Sequence, residues 1–338
     1  MKTNNINYHR ESIVGFPTIR LRRLRKKVAI RELVQEVRLS VKDLICPIFI
    51  QEGIKKRQVI ESMPGIERLP IYDIIDEVQT ISDLGIQAII LFGIPVQKDT
   101  GATSAFDDKG IIQRTTELIR KHFGDKIVII TDVCLCQYTS HGHCGILINE
   151  KINNDASLEA LTKVAFSHAK AGADMVAPSA MMDGQVKAIR HVLDENGFTD
   201  TIIMGYSAKQ ASSLYTPFRG AANCVPEFGD RKTYQMPFTN SNEAMHEIEL
   251  DIKEGADIIM IKPAIPYLDL IYRAKNSTNL PVCAYSVSGE YALIKAAAYE
   301  NWINESAVMT EFLTSIKRAG ADMMITYHAK ELAKLLNK

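Results

Sequence analysis

The chain has 338 residues, 46% of them hydrophobic and 24% charged, which is enough apolar material for one large α/β domain or two smaller ones. Forty basic and forty acidic residues cancel, so no field of one sign points to nucleic acid or a membrane surface as a partner. No apolar run approaches the roughly 20 residues that cross a bilayer, and the opening MKTNNINYHRES lacks the apolar stretch of a secretory signal.

In chain order, the first feature is the basic run at 20–27, Arg-Leu-Arg-Arg-Leu-Arg-Lys-Lys. It has no interleaved aromatics, so it reads as a solvated or subunit-contacting arm rather than a nucleic-acid patch or transit peptide. Short β-rich apolar segments then recur at 45–50, 87–94, 126–135, 175–180, 201–208, 257–264, 281–288 and 323–329. Helical periodicity fills stretches between them, at 72–84, 111–122, 158–171, 185–193, 241–254 and 307–319. Continuous apolar strands alternating with amphipathic helices predict a parallel sheet covered by helices.

A repeated phrase supports this: Ala171-Gly172-Ala173-Asp174, Glu254-Gly255-Ala256-Asp257 and Ala319-Gly320-Ala321-Asp322 each precede a strand. The glycine is expected to end a helix in the left-handed conformation. Eight such strand–helix units suit a (β/α)₈ TIM barrel, and no Gly-x-Gly-x-x-Gly follows a strand to favour a doubly wound sheet. The expected organisation is an extended N-terminal arm at 1–40 and a barrel domain at 41–338.

In such barrels the chemistry sits at the carboxyl ends of the strands. Those ends carry Asp132, Ser179, Lys209, Lys262, Ser288 and Tyr327, together with a loop rich in cysteine. Three of the six cysteines, Cys134, Cys136 and Cys144, crowd that loop with His141 and His143. Soft thiolates at this spacing read as a zinc site. Three thiolates alone would leave a fourth position open for catalysis, whereas His141 or His143 as a fourth ligand would make the site structural. Cys46, Cys224 and Cys283 are scattered and suggest no disulfide framework, so a reducing, cytoplasmic setting is expected.

Lys209 and Lys262 each close an apolar strand. Burial and a second ammonium lower a lysine pKa, and a neutral amine can attack a carbonyl to form a Schiff base. Arg219 and Arg231 fall in a long segment, about 212–235, that reads as an active-site lid, and arginine forks suit a substrate carboxylate.

Together these residues resemble the porphobilinogen synthases, also called 5-aminolevulinate dehydratases, of the zinc-dependent type. The resemblance runs from Arg22-Arg23-Leu24-Arg25 through Asp132-Val133-Cys134-Leu135-Cys136 and on to Gly145. It continues with Ala177-Pro178-Ser179, Tyr206-Ser207-Ala208-Lys209, Phe228-Gly229-Asp230-Arg231 and Lys262-Pro263. It closes with Val287-Ser288-Gly289-Glu290-Tyr291 and Ile325-Thr326-Tyr327. The resemblance implies a TIM-barrel lyase that joins two 5-aminolevulinate molecules into porphobilinogen with loss of two waters, early in haem and tetrapyrrole synthesis. Carried over, Lys262 would hold the propionate-side substrate and Lys209 the acetate-side one. Arg219, Arg231 and Gln235 would clamp the acetate-side carboxylate, and Ser288 and Tyr327 the propionate-side one. Zinc would sit on Cys134, Cys136 and Cys144, with Asp132 as proton acceptor and Ser179 as a polar neighbour. The resemblance also implies an arm that wraps a neighbouring subunit, commonly in a homo-octamer, and a regulatory Mg²⁺ for which Glu247 is the matching carboxylate.

Two positions depart from the family's usual pattern, which has an acid where this chain has Ala180 and another where it has Gly220. Slower turnover or an altered metal response would follow, and Ala180→Asp would raise turnover. A class I aldolase needs only one lysine and no three-cysteine site. A non-catalytic relative would keep its assembly but survive Lys262→Ala unchanged.

Overall fold

The computed structural model describes residues 15–337. The chain divides after Arg38 into two compact units. In the first, a 3₁₀ turn at Leu21–Arg25 precedes helix α1 (Val28–Leu33), and neither contains a buried residue. Residues 1–14 of the expected arm, and Lys338, lie outside the described residues.

The second unit opens with β1 (Leu44–Gln51), β2 (Gln58–Val59), β3 (Glu67–Leu69), α2 (Ile74–Asp83), β4 (Ala88–Ile94) and α3 (Ile111–Phe123). Next come β5 (Val128–Val133), the hairpin β6 (Ile146–Ile148) and β7 (Lys151–Asn153), α4 (Asn154–Lys170), β8 (Met175–Pro178) and α5 (Gln185–Glu195). Then follow β9 (Ile202–Lys209), α6 (Thr216–Ala221), α7 (Ser241–Glu254), β10 (Ile258–Lys262) and α8 (Leu268–Ser277). The chain ends with β11 (Val282–Ser286), α9 (Ser288–Tyr299), α10 (Glu305–Ala319), β12 (Met323–Thr326) and α11 (Ala329–Leu336).

Strands β1, β4, β5, β8, β9, β10, β11 and β12 are parallel neighbours in that order, and β12 pairs back onto β1 at Leu44↔Met324 and Ile45↔Ile325. The expected (β/α)₈ barrel is closed. Its strands are mainly apolar because side chains meet the barrel interior on one face and the helical layer on the other, with polar residues gathered toward their carboxyl ends. The expected strands at 281–288 and 323–329 are shorter, because Ser288 already opens α9 and Ala329 opens α11. Among the described residues no helix is long and apolar enough to cross a membrane.

The three Gly-Ala-Asp phrases do more than end helices. Gly172, Gly255 and Gly320 are all left-handed. The aspartate two residues on then joins a neighbouring strand twice. Asp174 donates its N–H to Ile129 O and accepts from Ile129 N–H through its carboxylate; Asp257 does the same with Ile203, and Asp322 with Val282. Each phrase therefore satisfies the first orphaned backbone groups of a strand at the amino end of the barrel.

One irregularity sets the register that matters most. Between β9 and β10 the pairing runs Ile258↔Met204 and Ile259↔Gly205, then slips to Ile261↔Ala208 and Lys262↔Lys209. A bulge thus places one extra residue in β9. It brings the two lysines side by side on the same face.

Candidate active site

Lys209 and Lys262 are the last residues of adjacent strands and both are buried. Lys209 Nζ donates to Ser179 O at the exit of β8. Lys262 Nζ stands among four rings, 4.0 Å from the centroid of Tyr285, 5.1 Å from Tyr206, 5.2 Å from Phe218 and 5.3 Å from Tyr215. Burial first, and then the like charge of Lys209, push the Lys262 amine down to about 7. Asp132 closes the group from β5. Burial raises its carboxyl, while Lys209, Ser179, Lys262 and Gln137 pull it back, the last through a 3.2 Å bond from Gln137 Nε2.

The loop after β5 folds its cysteines inward. Cys134 and Cys136 Sγ are 3.4 Å apart, and with Cys144 the three sulfurs all lie within 4.8 Å of one another, buried and unoxidised. A tetrahedral zinc with bonds of about 2.3 Å needs sulfurs about 3.8 Å apart, so this donor set fits that metal. Neither histidine joins them. His143 spends both ring nitrogens on Tyr234 Oη (3.1 Å) and Phe228 O (3.0 Å), while His141 Nδ1 accepts from His143 N–H (3.1 Å). Hydrogen bonds from Cys134 and Cys136, with the charges of Arg231 and Lys209, hold the Cys144 thiol well below its usual range.

Asp132, Cys134, Cys136, Ser179, Lys209, Arg231, Gln235 and Lys262 line one internal cavity of about 20 Å³, roofed by Phe218 and Tyr215. That is room for about one water, so anything larger enters only when the lid moves. Both amide atoms of Gln235, Nε of Arg231 and Nε of Arg219 are buried without a partner. The Arg231 guanidinium already donates to Gly142 O (2.9 Å) and Cys224 O (2.6 Å). Ser288 Oγ is engaged with the lid backbone, accepting from Phe218 N–H (3.0 Å) and donating to Leu214 O (3.2 Å), and Tyr327 Oη bonds Tyr285 Oη (3.0 Å). Arg219, Ser288, Tyr327 and Cys144 do not line this cavity. Glu247 lies with Asp183 and Glu243 on a second cavity, of about 900 Å³, which shares Gln235 with the first. Ala180 is completely buried, and Gly220 has open space where a side chain would stand.

Several residues escaped the sequence reading. Cys224, taken as scattered, lies with its thiol beside Cys136 and is drawn down to about 6 by that contact and by Arg231. Nothing in its local sequence signals this. Glu290 accepts from the N–H groups of Ala264 (3.1 Å), Ile265 (2.8 Å) and Val287 (2.8 Å), and so fixes the backbone just beyond Lys262. A glutamate three residues after Val287, the residue that precedes α9, was the available signal. A second cluster, Glu305, His328 and Glu331, could resemble a metal site, but Lys295 Nζ bonds both glutamates and already supplies the cation.

A closed barrel with two buried lysines, a carboxyl group and a thiol cluster at the carboxyl ends of its strands has the architecture of an enzyme. The family model for delta-aminolevulinic acid dehydratase matches residues 18–335. Delta-aminolevulinic acid dehydratases of Methanothermus sociabilis and of Synechocystis sp. are each 54% identical, covering 94% and 95% of this chain and 99% of their own lengths. A crystal structure of the Toxoplasma gondii delta-aminolevulinic acid dehydratase (porphobilinogen synthase), in complex with the reaction product porphobilinogen, superposes with a TM-score of 0.92. It is 44% identical over 94% of this chain and 91% of that one. The chain belongs to the delta-aminolevulinic acid dehydratase family and is a lyase.

Proposed function

We propose that this lyase joins two molecules of 5-aminolevulinate into porphobilinogen with release of two waters, using both lysines as Schiff-base formers. The observation that carries this is the paired placement of Lys209 and Lys262, with Lys262 lowered to about 7. At neutral pH that amine is substantially unprotonated and attacks the ketone carbon of one substrate. Loss of water from the carbinolamine gives the imine, which acidifies the adjacent carbon. Lys209 treats the second substrate in the same way. Asp132, beside both amines, accepts the proton released as the new bond forms.

Arg219, Arg231 and Gln235 carry unpartnered donors suited to the acetate-side carboxylate, and Ser288 and Tyr327 hydroxyls suited to the propionate-side one once the lid shifts. Ser179 lies at the floor beside Lys209. Cys134, Cys136 and Cys144 would hold zinc, which when bound supplies an open Lewis-acidic position favouring the neutral form of a substrate amine. Glu247, raised to about 7 by burial and by Asp183, Glu254 and Glu243, would take a regulatory Mg²⁺. The arm, residues 1–40, would contact a neighbouring subunit of a homo-octamer, and residues 41–338 would form the catalytic domain. Six free cysteines suit a reducing cytoplasm.

The test is porphobilinogen formation from 5-aminolevulinate by chelator-stripped protein, before and after zinc is restored under reducing conditions. Product only with zinc is expected. Product at full rate from the stripped protein would remove the zinc assignment, and none from folded, zinc-loaded protein would remove the reaction.

A further inference from the structure

The lid begins as a short helix, α6, whose last carbonyls need partners. Three of them find backbone: Ala222 N–H reaches Phe218 O (2.8 Å), Cys224 N–H reaches Arg219 O (2.9 Å) and Asn223 N–H reaches Gly220 O (3.3 Å). Cations from separate parts of the chain meet Gly220 O a second time, Ala221 O, and the carbonyls just beyond the helix. Arg68, on β3, donates Nη2 to Gly220 O and Nε to Ala221 O, both at 2.7 Å. Lys98, in the loop after β4, reaches Asn223 O, and Arg231 reaches Cys224 O. Arg68 makes no ion pair with any carboxylate among the described residues, and both of its side-chain hydrogen bonds go to the end of α6. Positive charge at a helix C-terminus is the favourable arrangement, and bonds from a charged donor are the stronger kind.

The strand carrying Arg68 is itself tied to the barrel, with Arg68 in register with Phe49 of β1. The Phe49 ring packs against Phe218 at 5.7 Å between centroids, Phe218 meets Phe92 edge-on at 5.1 Å, and Phe218 covers Lys262 Nζ. A continuous path therefore runs from Arg68 through α6 to the ring over the buried amine, with Arg219 the next residue along.

We propose that Arg68 is a positioning residue for the lid, fixing α6 so that Phe218 stands over the Lys262 amine and Arg219 is held beside it in the chain. The functional half rests on the reading of Lys262 as a substrate-bearing lysine. Arg68→Met keeps the aliphatic stem and removes both bonds, whereas Arg68→Lys keeps one donor. Two measurements on the full-length, zinc-loaded protein separate the claims. Amide exchange of residues 213–224 in the resting protein should quicken about tenfold or more in Arg68→Met, with Arg68→Lys between it and wild type and the barrel strands unchanged. KM for 5-aminolevulinate should rise by about tenfold while kcat moves by less than about threefold, since the lid orders the bound substrate and leaves the saturated lysine in place. Unchanged lid exchange in folded Arg68→Met overturns the proposal, as does a loosened lid with unaltered KM. If borohydride fails to trap substrate on Lys262 of the wild type, the Schiff-base reading falls, and lid exchange still decides what Arg68 holds.

Discussion

Borohydride trapping on Lys262 as a function of pH tests the catalytic reading at its base. The amine sits at about 7 against an ordinary value of 10.5, because burial and Lys209 both penalise its charged form. At pH 7 about half of Lys262 is neutral, whereas an ordinary lysine would be neutral about once in 3,000 molecules. Burial and the neighbouring charge therefore supply on the order of 10³ more nucleophile, equivalent to about 4 kcal/mol. Because the folded-state value is lowered, the reactive amine is present above about 7 and is lost as pH falls through that value. Protein exposed briefly to 5-aminolevulinate is reduced with borohydride at steps from about pH 5.5 to about 9.5, and the Lys262 peptide is quantified by mass spectrometry. Labelling should rise with a midpoint near 7 and level off. In Lys209→Met the midpoint should move upward yet stay below 10.5, since burial is the larger cause. A midpoint near 10 in folded wild-type protein would refute the reasoning.

Two further substitutions probe the walls of the site. Gly142 has φ +72° and an added Cβ would lie 2.4 Å from Val225 O, so Gly142→Ala should push the lid off the cysteine loop. A cost of about 2 kcal/mol or more is expected, visible as a lower melting temperature and faster loss of zinc to a chelator; an unchanged melting temperature and zinc retention would contradict it. Ala180 is fully enclosed, so Ala180→Asp must desolvate a carboxyl group and should cost about 1–3 kcal/mol in thermal stability, while turnover is expected to rise. Unchanged turnover in folded protein would dismiss the idea that the missing acid slows the chain.

Much of this molecule was legible in one dimension because the relevant physics is local. Strands with two covered faces must be apolar along their length, so eight such runs announced a barrel, and its geometry then pointed to Lys209, Lys262 and Asp132 at the strand exits. The three cysteines share one loop, so their spacing already announced that their sulfurs cluster. The left-handed glycines of the Gly-Ala-Asp phrases were readable for the same reason, since a helix end is a local event.

Tertiary structure alone decided the rest. The slip between β9 and β10 leaves the apolar pattern intact, yet without its extra residue Lys262 would pair with Ala208, and Lys209 would face the other side of the sheet. Cys224 reaches Cys136, and Arg68 reaches the end of α6, across stretches of chain that impose no spacing between them. Sequence determined which side chains stand at the mouth of the barrel, because periodicity places them there. Only closure of the sheet and docking of the lid determined which of them touch, because those contacts depend on register and on distances between elements.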